Sequence, residues 1–304
     1  MAAVKTKVIV NPVAGAKTTY RKWPVINELL QSGGMSFEYQ YTEGTGHAIE
    51  LAREATASGY QFVVAVGGDG TVNEVANGIL QARDSSEATI GIISTGTGGD
   101  FIRTAGITRD YIKASSCLHG AERRMIDVGV VDFTKNNQPS RRYFINSAGV
   151  GFDAQAIEAA SRLPKIFGGT VPYVLGLLKS VISYRNKLLE VCFNDRCEQR
   201  KVLTMVMANG CYFGGGMCIA PNADIYDGVF DVVCVGDVGK IDLLKTFPKI
   251  YKGTHITHPL VKIERSSHVE IKSADKVFIE ADGEFLGECP ASFRIIPAAL
   301  SLAI

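Results

Sequence analysis

The chain has 304 residues, 46% of them hydrophobic and 21% charged, a length that suits two domains better than one core. A formal net charge of +1 excludes a whole-protein field for nucleic acid. The seven cysteines (Cys117, Cys192, Cys197, Cys211, Cys218, Cys234 and Cys289) form no C-x-x-C pair, which speaks against a disulfide framework or a zinc site and for a reducing cytosol, and no run reaches the roughly 18 apolar residues of a membrane span or forms a signal peptide.

A first strand at 7–10 ends in the turn Asn11-Pro12-Val13-Ala14-Gly15. A helix is predicted from about 21 to 31, with Pro24 early in it, where proline is tolerated. Residues 37–41 alternate as a second strand. Thr42 opens a glycine turn, and Thr45 is the expected N-cap of a helix over 48–58. The apolar run 62–66 predicts a buried strand. It leads into Gly67-Gly68-Asp69-Gly70-Thr71 and a helix over about 72–80. A strand at 88–93 runs into a further glycine turn at 96–101, and a helix over 109–118 follows. Strands alternating with helices predict a parallel, doubly wound sheet, whose ligands sit outside the carboxyl ends of the strands.

The pattern changes near 125. Strands are predicted at 125–133 and 142–146, joined by a polar turn at 136–139, and then at 188–194, 201–208, 229–235, 268–272 and 276–281. Short connections predict an antiparallel sandwich. A helical insert at 154–186 and a helix at 240–251 interrupt it. The domain joint is expected around 126–129.

Three features carry chemistry. Three glycines and a carboxylate in a strand-to-helix turn allow positive φ and close ligand approach, and the amides there attract anions. Asp69 suits a cation bridged to phosphate, or a sugar hydroxyl. Thr71 and Glu74 also fit a T-x-x-E capping box, which alone explains those two residues. Asp224 and Asp227, in an irregular loop after Gly214-Gly215-Gly216-Met217, suit a hard cation such as Mg²⁺ or a solvated turn. Asp282-Gly283-Glu284 reads as a hairpin turn, or as a source of the proton acceptor in phosphoryl transfer. The apolar stretch 166–182, flanked by Arg162, Lys165, Arg185 and Lys187, suits a lipid pocket, an anionic membrane surface or a packed core helix. His47 fits a capping or core position. His119, His255, His258 and His268 have no partner at catalytic spacing and receive no role. Neither G-x-x-x-x-G-K-[ST] nor G-x-G-x-x-G is present.

Taken in order, these residues resemble the diacylglycerol kinase catalytic family, especially its soluble bacterial lipid-kinase members. Sphingosine kinases and, more remotely, NAD kinases and phosphofructokinases share the Gly-Gly-Asp-Gly signature. The resemblance covers nearly the whole chain, from the Asn-Pro turn at 11–15 to Asp282-Gly283-Glu284. It implies an α/β N-terminal domain with a parallel three-layer sheet and a C-terminal antiparallel β-sandwich domain, with ATP between them. The expected bounds are 1–127, joined by the C-terminal segment 297–304, and 128–296. Asn11, Pro12, Val13, Ala14, Gly15, Thr42, Gly67, Gly68, Asp69, Gly70, Thr71, Val72, Asn73 and Thr97 match ATP-contacting positions. Asp69 would act in part through the Mg²⁺ on ATP. Asp224, Asp227 and the backbone of Val229 match a second Mg²⁺ site. Glu284 matches the proposed proton acceptor, with Asp282 as a catalytic rival. Gly99 stands where the family usually has asparagine, and Ser94-Thr95 replace a family proline.

The expected activity is therefore ATP- and Mg²⁺-dependent phosphorylation of a hydroxyl on a lipid such as diacylglycerol. A kinase for a soluble acceptor, as in NAD kinase, and a non-catalytic nucleotide-binding regulator are the alternatives. The expected setting is cytoplasmic, peripheral at the membrane through transient contact of 162–187, with no nucleic-acid partner. Acceptor identity and oligomeric state are left open, a homodimer among the options.

Overall fold

A computed structural model describes residues 4–82, 88–161, 184–194 and 196–304. The chain divides into two units, one made of Met1–Val128 with Pro297–Ile304 and the other of Gly129–Ile296.

In the first unit the order is β1 (Thr6–Val10), α1 (Ala14–Ser32), β2 (Phe37–Tyr41), α2 (His47–Ala57), β3 (Phe62–Gly67), α3 (Asp69–Gln81), β4 (Thr89–Ser94), α4 (Asp100–Thr104) and α5 (Tyr111–Cys117). β1 pairs in parallel with β2 on one side and β3 on the other, and β3 pairs in parallel with β4. β3 and β4 are buried at every position, as parallel strands covered on both faces must be. On one face Val8, Val10, Val64 and Val66 pack with Trp23, Ile26 and Leu30 of α1. The alternate residues Ile9, Val63 and Ala65 are fully buried on the opposite face. α2 and α3 pack so closely that a Cβ on Gly78 would stand 2.3 Å from the Ile49 carbonyl oxygen.

Three local expectations fail in this unit. α1 is assigned from Ala14, but Gly15, Ala16 and Lys17 have φ of 58°, 54° and 69° and form a left-handed kink, so its regular part starts after Lys17 rather than near 21. Pro24 consequently lies inside the helix, on its exposed side, where water can serve the carbonyl that loses its bond. The Thr71–Glu74 capping box is absent. The N-cap of α3 is Gly68, and Thr71 is already helical. Glu74 instead accepts the N–H groups of Gly46 and Ala48 at 2.9 and 3.2 Å, capping α2 from outside. Gly46 rather than Thr45 is the N-cap of α2, with φ of 85° and no side-chain bond of its own.

The second unit takes over inside β5 (Arg123–Lys135). There follow β6 (Gln138–Phe144), β7 (Ser147–Gly151), α6 (Phe152–Ser161), β8 (Lys187–Phe193), β9 (Arg196–Val202), β10 (Thr204–Ala208), β11 (Tyr212–Phe213), β12 (Met217–Cys218), β13 (Phe230–Val235), α7 (Lys240–Ile250), β14 (Val261–Ser266), β15 (His268–Lys272), β16 (Phe278–Ala281) and β17 (Glu284–Ala303). One layer runs β14-β13-β10-β7-β16-β17, and the other joins β9, β8 and β15 to β17, which also pairs with β5 and through it β6. Inward residues of both layers form one core, among them Phe144, Val150, Val191, Met205, Phe230, Ile271, Ile279 and Phe293. The outer face of β10 and β13 is covered as well, by Ile219 and Ala220 against Val206, Ala208 and Val233.

The run predicted as one strand at 201–208 is two, broken at Leu203, whose N–H turns to the Val235 carbonyl at 2.8 Å. β7 and β14 are not among the predicted strands, and of β17 only the return of 297–304 to the first unit is. The expectation of no disulfide is corrected by a Cys192–Cys197 bond. The two cysteines face each other across the β8–β9 hairpin, a pairing that C-x-x-C spacing does not reveal. Among the described residues no helix is long and apolar enough to cross a membrane. The insert at 166–182, and the membrane contact expected of 162–187, lie outside the described residues except for 184–187.

Candidate functional site

The turns after β1, β3 and β4 lie at the carboxyl ends of parallel strands. Chain order reverses between β1 and β3, since β2 lies beyond β1 and β4 beyond β3; that is a topological switch point. The three turns are tied to one another. Asn11 Nδ2 donates to Thr71 Oγ1 at 2.9 Å, joining the first to the second. Asp69 Oδ2 accepts the Gly99 N–H at 2.6 Å, joining the second to the third. Thr19 and Thr95 share a buried hydroxyl contact of 2.6 Å, joining the third to the start of α1.

Glycine is needed because the turns meet backbone to backbone. A Cβ on Gly96 would stand 2.5 Å from Gly68 Cα, and one on Gly98 would stand 2.1 Å from Asp69 Oδ2. Asp69 is in the first turn of α3, where the helix dipole favours a carboxylate. Gly99 has φ of 85°, a conformation that glycine and asparagine both reach, so its replacement of the family asparagine preserves the backbone. Thr95 donates its N–H to the Gly67 carbonyl at 2.8 Å, a bond a proline could not make. Thr42 is buried, its N–H held by the Val10 carbonyl at 2.9 Å, and Arg109 holds the Thr97 carbonyl at 3.0 Å.

In the second unit the two candidate proton acceptors differ. Asp282, at φ of 47°, makes a left-handed turn with Gly283 between β16 and β17. Its Oδ1 accepts the N–H groups of Asn146 and Ser147 at 3.0 and 2.9 Å, and its Oδ2 that of Ile145 at 2.9 Å. Asp282 is thus an anchor for the β6–β7 connection. Glu284 pairs with Arg142 at 2.6 Å and is one-third exposed.

Asp224 and Asp227 each accept the N–H two residues on, from Tyr226 at 3.1 Å and Val229 at 3.2 Å. Asp227 is also ion-paired with Arg265. Arg265 reaches Asp231 as well, at 3.4 Å, and burial raises the Asp231 carboxyl above its usual value despite that cation. Among the described residues no group of three or more His, Cys, Asp or Glu side chains is arranged to hold a metal ion.

Residues 5–131 match the diacylglycerol kinase catalytic domain, and residues 146–304 match the YegS C-terminal NAD kinase beta sandwich-like domain. A diacylglycerol kinase of Staphylococcus haemolyticus (strain JCSC1435) is 30% identical over 94% of this chain and 84% of its own length. The chain belongs to the diacylglycerol kinase family. Another member, the diacylglycerol kinase of Bacillus subtilis (strain 168), is 26% identical over 95% of this chain and 92% of its own. Two crystal structures from Bacillus anthracis str. Sterne extend the likeness to the fold. One superposes with a TM-score of 0.81 at 21% identity, covering 100% of this chain and 96% of its own. The other, described as a diacylglycerol kinase, gives 0.74 at 18% identity, covering 100% and 97%. The architecture the family shares is the one built above: an α/β domain with a parallel sheet, and a β-sandwich.

Sequence reasoning missed a buried group in the sandwich. Asp153, in the first turn of α6, accepts from Thr204 Oγ1 and the Ala154 N–H, both at 2.8 Å. Glu280 on β16 accepts the Gly283 N–H at 2.8 Å. Both carboxylates crowd the Cα of Gly149, where an added Cβ would stand 1.8 Å from Asp153 Oδ2 and 2.9 Å from Glu280 Oε1. Burial raises Asp153 to about 6. Burial, then the charge of Asp153, push Glu280 well above the usual carboxylate range. Asp153 also lines an apolar pocket, as does the buried His255. A lone histidine gives no sequence signal; the Gly-x-x-x-Asp spacing of Gly149 and Asp153 gives a faint one.

Proposed function

We propose that this chain transfers the γ-phosphoryl group of ATP to a hydroxyl of a lipid acceptor such as diacylglycerol. The observation that carries the reading is the Asp69–Gly99 clamp within three tied glycine turns, in a chain whose relatives are diacylglycerol kinases over nearly its whole length. A polyphosphate needs backbone amides, close approach and a helix N-terminus, and turns with no room for a Cβ fit that need. In this reading Asn11 to Gly15, Thr42, Gly67 to Asn73 and Thr97 hold the nucleotide. Asp69 holds the magnesium ion on it, which neutralises charge on the transferring group.

Glu284 is assigned the proton. As the acceptor oxygen bonds to the γ-phosphorus and the bond to the departing ADP breaks, its carboxylate takes the hydroxyl proton. Arg142 orients that carboxylate beforehand. Asp282 is assigned an anchoring role, since three backbone donors already occupy it. A second magnesium ion at Asp224, Asp227 and the Val229 backbone fits the donors in part, because Arg265 must first release Asp227.

Incubation of the chain with labelled ATP, magnesium and a total lipid extract is expected to yield a labelled phospholipid. Asp69→Ala and Glu284→Ala are each expected to lower the rate about 10²- to 10⁴-fold. Near-wild-type transfer by either variant would refute its assigned role. Labelling of NAD in place of lipid would refute the acceptor class.

A further inference from the structure

Ile279 and Ala281 of β16 point into the sandwich core, so Glu280 between them points to the other face of the strand. It is 2% exposed, and its carboxyl lies against Gly149 of β7 and near Asp153 of α6. Among the described residues its side chain makes one hydrogen bond, with Oε2 accepting the Gly283 N–H at 2.8 Å, and no ion pair. Burying an acid without a cation is costly, and an apolar side chain would fill the same space without that cost. Burial, then the charge of Asp153, favour the protonated carboxyl, which keeps a carbonyl oxygen able to accept.

The single bond goes to the turn that carries Glu284. Asp282 and Gly283, at φ of 47° and 80°, stand between the paired residues Ala281 and Glu284. Left-handed backbone at both positions is the type I′ hairpin turn. Four ties hold Asp282 to the β6–β7 connection: its N–H donates to the Ser147 carbonyl at 2.8 Å, and its carboxylate accepts the N–H groups of Ile145, Asn146 and Ser147. Gly283, directly before Glu284, is exposed, and Glu280 is what keeps its amide from turning to water. The β16–β17 pairing slips between Ile279 and Glu280, an irregularity of the kind that re-aims side chains.

We propose that Glu280 is a positioning residue for phosphoryl transfer: by holding Gly283 it fixes the turn so that Glu284 meets Arg142 and presents its carboxylate in one orientation. The inference rests on the lipid-kinase reading, in which Glu284 takes the proton, and adds a residue that acts through Glu284. A glutamate that is one-third exposed has several rotamers open to it, so its aim depends on the backbone beneath it.

The test uses the full chain, labelled ATP and dispersed diacylglycerol. Glu280→Met fills the space without an acceptor and is expected to lose roughly ten- to hundredfold in kcat, with KM for ATP unchanged. Glu280→Ala reports the same loss should Glu280→Met not fold. Glu280→Gln, which restores a carbonyl oxygen for Gly283, is expected to recover kcat to within about threefold of wild type. In a Glu284→Gln background, where no carboxylate is left to aim, Glu280→Met is expected to cost less than about twofold. Hydrogen exchange at the Gly283 amide, followed by NMR without ATP or lipid, is expected to be slow in wild type and Glu280→Gln and fast in Glu280→Met. Full kcat in a folded Glu280→Met overturns the proposal. An equal loss in the Glu284→Gln background overturns it too, since Glu280 would then serve the fold alone. Should wild type phosphorylate no lipid, the kinase reading falls, and exchange decides the rest: protection of Gly283 that vanishes only in Glu280→Met upholds the hold on the turn, and equal exchange in all three overturns it.

Discussion

Asp153 and Glu280 bring two carboxyl groups to the same backbone position, over Gly149. Their folded-state affinity for protons is raised, Asp153 to about 6 and Glu280 further above its ordinary value, with burial the first cause in each case. Between about pH 4 and pH 6 the folded chain thus binds more protons at Asp153 than the unfolded chain does. The unfolding free energy falls with rising pH across that window, so this contribution is full below pH 4 and lost above pH 6. Glu280 extends the decline upward. Asp153→Asn removes the titrating group and keeps the Oδ1 acceptor for Thr204 and Ala154. Urea denaturation at pH 5 and pH 8 is expected to show wild type losing on the order of 1–3 kcal/mol more than the variant over that interval. Equal losses would mean that folding does not raise the proton affinity of Asp153. Composition and spacing reveal none of this, because a buried acid and an exposed one look alike in sequence until the glycine beneath it is seen.

At the scale of elements, sequence reading succeeded where a motif is local and failed where the partner comes from another element. Gly67 to Thr71 sits between β3 and α3 as its glycines and flanking periodicity require, and the Asn136-Asn137 turn joins β5 to β6 at φ of 51° and 60°. Thr71 and Glu74 have the spacing of a capping box, yet Gly68 caps α3 and Glu74 serves α2. The reason is packing: Gly78 lets the two helices approach until Glu74 reaches the open amides at Gly46 and Ala48. Glu74 is 9% exposed, so its carboxylate substitutes for water at that helix end. Glu74→Gln keeps one acceptor and loses the charge, and is expected to cost about 1 kcal/mol. Glu74→Ala leaves two amides uncapped and is expected to cost about 2–3 kcal/mol. Chemical denaturation of the two variants checks the ranking, and a reversed order would show that the acceptor kept by glutamine does not serve the Gly46 and Ala48 amides.

At the scale of the whole molecule, the chain leaves the first unit within β5 and re-enters it through β17, a single strand of 20 residues. β17 pairs with β16 over its first residues, with β15 over Ala291 to Arg294, and in parallel with β4 at Ser301 and Leu302. The return was legible only as a family habit, since Leu300 to Ile304 is too short to declare a strand by periodicity. In the structure Leu300, Leu302 and Ala303 are buried, and the Ile304 N–H bonds the Glu122 carbonyl at 2.8 Å. The last residues therefore complete the sheet that carries the three glycine turns. Leu302→Ala is expected to remove about 2–5 kcal/mol from the first unit through lost burial and the cavity left behind. The chain has one tryptophan, Trp23, and it is 3% exposed in the core of that unit against Ile26 and Leu30. Its fluorescence reports the first unit alone, while the far-ultraviolet circular dichroism sums both. In urea the Leu302→Ala variant is expected to lose its tryptophan signal at a lower midpoint than wild type, with a smaller shift in the dichroism midpoint. An unmoved tryptophan midpoint would show that the β4–β17 pairing adds no stability to the unit.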